Sequence, residues 1–427
     1  MIKNLTESFL VDIWQRQRLD GALLTEEGEP FRVIYPGRAN DEAGADLRDA
    51  VISTTRGLIK GDIEVHTRSS YWQAHHHHRD PAYNSVILHV VYRHDSRVAA
   101  SLQSGKSVPT LVISRFINER PLQISEGEPC RAAHRAGGDG LDRAGEARFR
   151  AKAAGFQKEL GQTGAAQVLY AGIMGALGYT RNKWACLELA RRVPLEALNF
   201  DGTYEEECLA RQQAWLLGTA GLLPSQRSGP GRIDQHSWPA RLERLWVEAD
   251  YTKVMPETDW HLLKVRPNNS PQRRIAAMSY LLLRYRKSGI LSAILGRIRD
   301  VTADSGCGLS ETVKLSATGY WADHSDFGLT MPETALIGDG RAAEIVVNVL
   351  LPFAAAWGRL NDEPGLIAKA VALYRGYPRL AVNSIEDRMR RQLGLERGLV
   401  NSAQRQQGLL YIYRVFCSQA MCPSCPI

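Results

Sequence analysis

The run Val86-Ile87-Leu88-His89-Val90-Val91 constrains the chain more than any other stretch. Nearly continuous β-branched and apolar residues mark a strand buried on both faces, not one with a wet side. Such a strand must be covered twice, which calls for a small α/β unit around it.

The neighbouring residues supply that unit. Phe31 to Tyr35 is β-rich and stops at Pro36-Gly37, while Asp49–Thr55 and Gly61–Arg68 read as two strands joined through Arg56-Gly57. Val108 to Phe116 offers a further strand. Ahead of them, Asn4 and Glu7 resemble a capping box, and Phe9, Ile13 and Trp14 give an apolar face, so a first helix is expected over 5–17. Residues 1–120 are thus one helix followed by four or five strands in a mixed sheet.

Residues 121–150 are richer in glycine and read as a linker or crossing segment, although helical spacing is present from Ala144. From 151 to 427 the apolar spacing is mainly α-helical, with candidate helices at 145–160, 165–177, 181–192, 204–222, 238–250, 271–288, 289–299, 341–358, 363–375, 384–394 and 398–417. Pro352 falls inside one of these and is expected to kink or shorten it. A chain of 427 residues with 44% hydrophobic and 23% charged residues suits two folded domains rather than disorder. No leader and no apolar run near the roughly 20 residues of a membrane span are evident. Seven cysteines, clustered only at the end, fit a reduced, cytoplasmic setting.

Chemistry concentrates in the α/β unit. Seven of the eleven histidines lie between His66 and His94, with carboxylates among them. Strand alternation sends Asp62, Glu64 and His66 to one face, and Ile63 and Val65 to the other. A nuclease using a divalent cation needs two or three carboxylate oxygens to hold Mg²⁺ or Mn²⁺, plus a group that handles water. Asp46, entering the hairpin, and Glu64 with His66 on its second strand are candidates for those catalytic roles; a solvated hairpin face is the plainer alternative.

The pattern Ala45-Asp46 followed by Glu64-Val65-His66 resembles the PD-(D/E)xK nuclease-like superfamily. The resemblance implies a restriction-endonuclease-like core with Asp46 and Glu64 as metal ligands, Glu7 as a possible extra one, and His66 in place of a lysine. Ala45 stands where that family has proline. Over both halves, the chain also resembles an uncharacterised bacterial family defined only as a domain of unknown function. The matching stretches are Gly61 to His66, Trp72-x-x-His75-x-His77-x-x-Asp80, Tyr83 to Val91, Arg266-Pro267-Asn268 and Gln406-Gln407-Gly408-Leu409.

Further candidates stand around this centre. His75, His77 and Asp80 have spacings that suit a transition metal such as Zn²⁺ or Mn²⁺, or a polar turn. His89, inside an apolar strand, suits a hydrogen-bonding role better than ligation. Cys417, Cys422 and Cys425 form a zinc half-site short of a fourth ligand, or a flexible thiol tail.

The net charge of +7 belongs wholly to the second part, since residues 1–120 hold 15 Lys/Arg and 15 Asp/Glu. Lys264 to Arg299 carries nine basic residues and no acidic one. Arg266, Arg273 and Arg274 are therefore candidates for gripping nucleic acid, with intramolecular pairing as the alternative. The Asn182-Lys183 stretch invites the same two readings. Trp238, Trp246, Tyr251 and Trp260 suit base stacking or, by their helical spacing, core packing.

The expected function is a divalent-metal nuclease acting on DNA or RNA. The alternatives are an inactive nucleic-acid-binding or scaffold protein, and a metal-dependent hydrolase of a small anionic substrate.

Overall fold

The computed structural model describes residues 6–427 except 16, 18, 20, 41–43, 56, 117–136, 201–203, 228–233, 250–252, 263–264, 397, 418–424 and 426–427; the side chains at 8, 12, 39, 303–307 and 384 are also outside the description. Asn4 and Cys422 therefore lie outside the described residues. The chain divides into two units, Met1–Glu128 and Pro129–Ile427.

The first unit opens with α1 (Glu7–Gln15), whose start is capped by Thr6: its hydroxyl accepts from the Phe9 amide at 3.3 Å. Next come β1 (Leu23–Leu24), β2 (Pro30–Tyr35), β3 (Arg38–Ala39), β4 (Leu47–Thr54) and β5 (Gly57–Arg68). A short helix α2 (Tyr71–Ala74) and two 3-10 turns, His77–Arg79 and Pro81–Tyr83, lead to β6 (Val86–Arg93) and β7 (Thr110–Val112).

The sheet order is β1-β2-β4-β5-β6-β7, with β3 pairing on β4. The β4–β5 hairpin is antiparallel, whereas β5–β6 and β6–β7 are parallel, so the sheet is mixed. A parallel β5–β6 pair cannot be closed by a tight turn. Residues 69–85 make the required crossover, and the histidine-rich loop sits in it.

Alternation along β5 and β6 sends Ile63, Val65, Leu88 and Val90 into a core with Leu10, Ile13 and Trp14 of α1. Each such side chain contributes about 1.5–3 kcal/mol when fully buried. Trp72, Val86, Ala100, Leu102 and Val108 form a second apolar cluster, with Trp72 anchored by its indole N–H on the Ser101 carbonyl at 2.9 Å. β6 is buried on both faces, as its composition requires.

The second unit is helical: α3 (Gly138–Leu160), α4 (Ala165–Leu177), α5 (Lys183–Arg192), α6 (Glu205–Thr219), α7 (Trp238–Glu248), α8 (Pro271–Arg284), α9 (Ile290–Asp300), α10 (Asp339–Ile345), α11 (Leu351–Leu360), α12 (Pro364–Arg375), α13 (Ser384–Gln392) and α14 (Ala403–Val415). Residues 138–150, expected in a linker, are instead the first turns of α3. They are fixed by close packing on α14: a Cβ on Gly145 would meet the Gln404 carbonyl at 2.2 Å, and one on Gly408 the Leu141 carbonyl at 2.2 Å. Tyr374 adds a hydrogen bond to the Gly145 carbonyl at 2.9 Å.

Pro352 neither ends nor visibly interrupts its helix. It stands at the start of α11, immediately after the π-helical stretch Val346–Leu350, where the missing amide is absorbed by the altered hydrogen-bond ladder. The continuous run Asp339–Leu360 is long and apolar enough to cross a membrane, contrary to the expectation that no such run exists; 67% of its apolar window is buried within the protein, as in a core helix.

Candidate functional site

Four side chains from β5 and the crossover converge at one point. His66 Nε2 lies 3.2 Å from His75 Nδ1 and 3.4 Å from His77 Nε2. Glu64 Oε1 lies 3.3 Å from His66 Nε2 and 3.2 Å from His77 Nε2. Glu64 and His66 share a face of β5, as strand alternation dictates, and are only 5% and 1% exposed.

The loop reaches them through an unusual backbone. His76 is left-handed, with φ of +61°. That turn lets His75 and His77, two positions apart, aim at the same ring. Histidine occupies this region more readily than most non-glycine residues. Tyr83 packs on the His77 ring at 3.9 Å between centroids, and Trp72 meets it edge-on at 5.5 Å. His77 is buried between them while His75 remains exposed, so the cluster is walled on one side and open on the other.

Asp46 adjoins this group through the backbone. Its Oδ2 accepts from the Val65 amide at 3.0 Å, and its own amide donates to Glu64 Oε2 at 3.1 Å. Each carboxylate thus holds the strand that carries the other, fixing Asp46 and Glu64 side by side at the mouth of the β4–β5 hairpin. Burial pushes both carboxyls well above the usual range, reinforced at Asp46 by the Glu64 charge and at both by Glu7. Two like charges this close resist ionising together.

The histidines move the other way. Burial, then the neighbouring rings, pushes His66 down to about 2. His89 falls to about 3, also chiefly by burial. His77 is lowered by burial against the pull of Asp46, Asp80 and Glu7. The imidazoles are therefore neutral and hold ligand-competent lone pairs.

His66 Nδ1 and His89 Nε2 stand 2.9 Å apart, and Glu64 and His89 are register partners on adjacent strands. His89 accordingly takes the hydrogen-bonding role its apolar strand suggested, orienting His66 from behind.

A neutral imidazole nitrogen offers one proton or one lone pair, not both. Three polar atoms approach His66 Nε2, so proton sharing satisfies only part of the cluster. A cation at its centre would satisfy all of it. Ligand atoms held about 2.05 Å from a tetrahedral ion stand about 3.3 Å apart, close to the four separations of 3.2–3.4 Å, although Glu64 stands outside the group of His66, His75 and His77, whose donor atoms all lie within 4.8 Å of one another. His66, His75 and His77 are also the one group of metal-type donors found together among the described residues.

Other candidate residues are placed elsewhere. Asp80 caps the Pro81–Tyr83 turn, accepting from the Ala82 amide at 2.9 Å, and stands outside the donor group. Asp62 accepts from the Ser85 hydroxyl at 2.6 Å and the Asp49 amide at 3.1 Å instead of joining Glu64. Cys417 and Cys425 pack beside an apolar cluster of α3, α13 and α14, and Cys422 is outside the described residues.

Arg273 and Arg274 are buried, which overturns the expectation that they grip nucleic acid. Arg273 donates to the carbonyls of His324 and Thr334, and Arg274 to the carbonyl of Leu336 and the hydroxyl of Tyr179. Their guanidinium forks tie α8 to the segment 324–336. Arg266 is exposed. Trp260 is core, its indole donating to the Ala220 carbonyl at 2.8 Å, and Tyr251 lies outside the described residues.

Sequence reasoning missed Tyr83 as the wall of the cluster; an aromatic three residues after Asp80 was the available signal.

A family model, described as protein of unknown function (DUF2851), matches residues 7–379. The chain belongs to that family. The match covers the histidine loop and the helical unit as far as Arg379, so both fall within one family pattern. No curated protein and no solved structure matches the chain.

Proposed function

We propose that the first unit is a divalent-metal-dependent phosphodiesterase that cleaves DNA or RNA on a restriction-endonuclease-like core. One observation carries the reading: Asp46 and Glu64 lock together at a hairpin mouth, with His66 two residues beyond Glu64 turned to the same point. The order of helix, hairpin, crossover and parallel strand agrees with the arrangement that the PD-(D/E)xK resemblance implies.

Nitrogen donors beside a carboxylate favour Mn²⁺ or Zn²⁺ over Mg²⁺, which prefers an all-oxygen shell. When bound, such a cation supplies Lewis acidity toward a phosphoryl oxygen and lowers the pKa of water. Glu64, His66 and His77 would hold it, with His75 on the open side. Asp46 supports Glu64 by accepting from the Val65 amide of the same strand, and its buried carboxyl holds a proton above the usual carboxylate range. His89 fixes the ring of His66. Because His66 is held neutral, its Nε2 offers the cation a lone pair instead of presenting the fixed positive charge of a lysine.

The test is incubation of the full chain with single- and double-stranded DNA and RNA in Mn²⁺, Zn²⁺ or Mg²⁺. Metal-dependent cleavage is expected, and Glu64→Ala should abolish it with an unchanged circular dichroism spectrum. Cleavage by that variant at the wild-type rate would sink the proposal, as would no cleavage with any metal.

The nitrogen-rich donor group favours a second reading, hydrolysis of a small anionic substrate. Turnover of bis(p-nitrophenyl) phosphate without cleavage of any nucleic acid would select it.

A further inference from the structure

The helical unit contains a second cluster of ionisable groups, opposite in sign to the first. A cleft of about 610 Å³ is lined by residues of α3, α4, α5, α10 and α14 and of the π-helical stretch Val346–Leu350. Arg148, Lys152, Lys183, Arg341 and Arg414 all contribute to its wall. Its volume is within the range of small-molecule sites.

The five cations face two carboxylates in the cleft wall, Glu344 and, acting on Lys183, Glu159. Arg341 pairs with Glu344 at 2.6 Å and lies over the Tyr179 ring. Among the described residues, no carboxylate forms an ion pair with Arg148, Lys152 or Lys183. Arg148 donates to the neutral Gln407 side chain at 2.6 Å, and Lys152 reaches only the Asn348 carbonyl at 3.5 Å. Asn348 belongs to the π-helical stretch, a distortion that often marks a functional position.

Lys152 is partly open along its stem, but its ammonium sits deep. Burial, then the charges of Arg148, Lys183 and Arg414, pushes it down to about 7. Arg148 is lowered to about 10, again mainly by burial. Gathering like charges where water is scarce is unfavourable unless an anion completes the site.

The mouth adds a second kind of recognition. Trp184 lines the cleft and is 72% exposed, with the Lys183 ammonium 5.8 Å from its ring centroid. An open indole beside a nest of cations matches a base joined to phosphate: the cations take the charge and the ring takes the π-face.

We propose that this cleft binds a nucleotide through its phosphate groups, seated on Arg148, Lys152 and Lys183, with its base stacked on Trp184. The shared chemistry is a phosphorylated nucleoside, whether free in solution or at the end of a strand. The proposal lies wholly within the helical unit and stands apart from the metal site.

Calorimetric titration of the full chain with ADP, pyrophosphate and a single-stranded oligonucleotide carrying either a 5′-phosphate or a 5′-hydroxyl tests it. ADP and pyrophosphate should bind, and Lys152→Met should weaken both by about tenfold or more. Trp184→Ala should weaken ADP about fivefold or more while leaving pyrophosphate unchanged. Preference for the 5′-phosphorylated strand over its 5′-hydroxyl counterpart upholds the site and identifies a strand end as the source. Binding of ADP without that preference upholds it for free nucleotide. Arg148→Gln serves as a second variant should Lys152→Met melt early. Failure of all the phosphorylated probes to bind overturns the proposal, as does wild-type affinity in both cation variants. Unchanged ADP affinity in Trp184→Ala overturns the stacking arrangement.

Discussion

The two clusters of buried ionisable groups answer the same problem with opposite signs. In the α/β unit, carboxyls and imidazoles crowd together and are all pushed toward their neutral forms: Asp46 and Glu64 upward, His66 and His89 downward. In the helical unit, the cleft cations are pushed downward, with Lys152 reaching about 7. Each cluster is short of counter-charge: the first has donors arranged around a cation-sized point, and the second sets five cations against two carboxylates, Glu159 and Glu344. By contrast, Arg273 shows what satisfied burial looks like, since its fork is engaged by the Asn268 side chain and the His324 carbonyl. The difference teaches that burial alone does not mark a site; burial with unmet charge does.

The comparison breaks first at Glu64. Replacing it with alanine should lower Zn²⁺ or Mn²⁺ affinity by roughly a hundredfold or more, since it removes an oxygen that neighbours two of the three nitrogens. Calorimetry with and without the substitution measures it, and an unaltered affinity would separate Glu64 from the histidines.

His89→Leu should act more mildly, by about 10–100-fold, because it leaves every donor in place and removes only the group orienting His66. The same titration reads this loss, and a melting curve distinguishes it from unfolding.

pH sharpens the comparison further. Burial already holds His66 and His77 toward their neutral forms, so acid acts on the metal less through them than through the carboxyls. Asp46 and Glu64 instead hold a proton above the usual carboxylate range, and that proton must leave. Metal affinity should therefore rise about tenfold per pH unit from pH 6 toward 7. A plateau above pH 6.5 would indicate an ordinary histidine-limited site.

The smallest effect concerns stability at Lys152. Its folded pKa of about 7 lies below the unfolded value of 10.5, so the unfolded chain binds the extra proton between them and stability rises with pH across that window. Without ligand, Lys152→Met should exceed the wild type by about 1–3 kcal/mol at pH 6, with the gap closing toward pH 10. Denaturant unfolding at the two pH values measures it, and a gap independent of pH would break the symmetry between the clusters.

Much of this was legible along the chain. The apolar run 86–91 specified a doubly covered strand, and the apolar spacing located most helices of the second unit to within a few residues, because periodicity reports which face is buried. Glu64 and His66 were placed on one face by alternation alone. The basic run Lys264–Arg299 misled for the converse reason: charge in sequence does not tell whether a guanidinium meets water or a carbonyl. Lys183 stood in a stretch suited to phosphate, but Arg148, Lys152 and Arg341 lie far from it in sequence and gave no local sign.

By itself, then, the sequence determined the two classes of unit, the strands and helices within them, and the donors that adjoin one another on β5. Tertiary structure alone decided which charges lost their water and which found partners. The left-handed turn at His76 brought loop histidines to a strand histidine, and the packing of α3, α5 and α10 gathered cations from distant segments. Local periodicity is encoded by neighbours three or four residues apart, whereas desolvation and charge pairing depend on groups that meet only when the chain has folded.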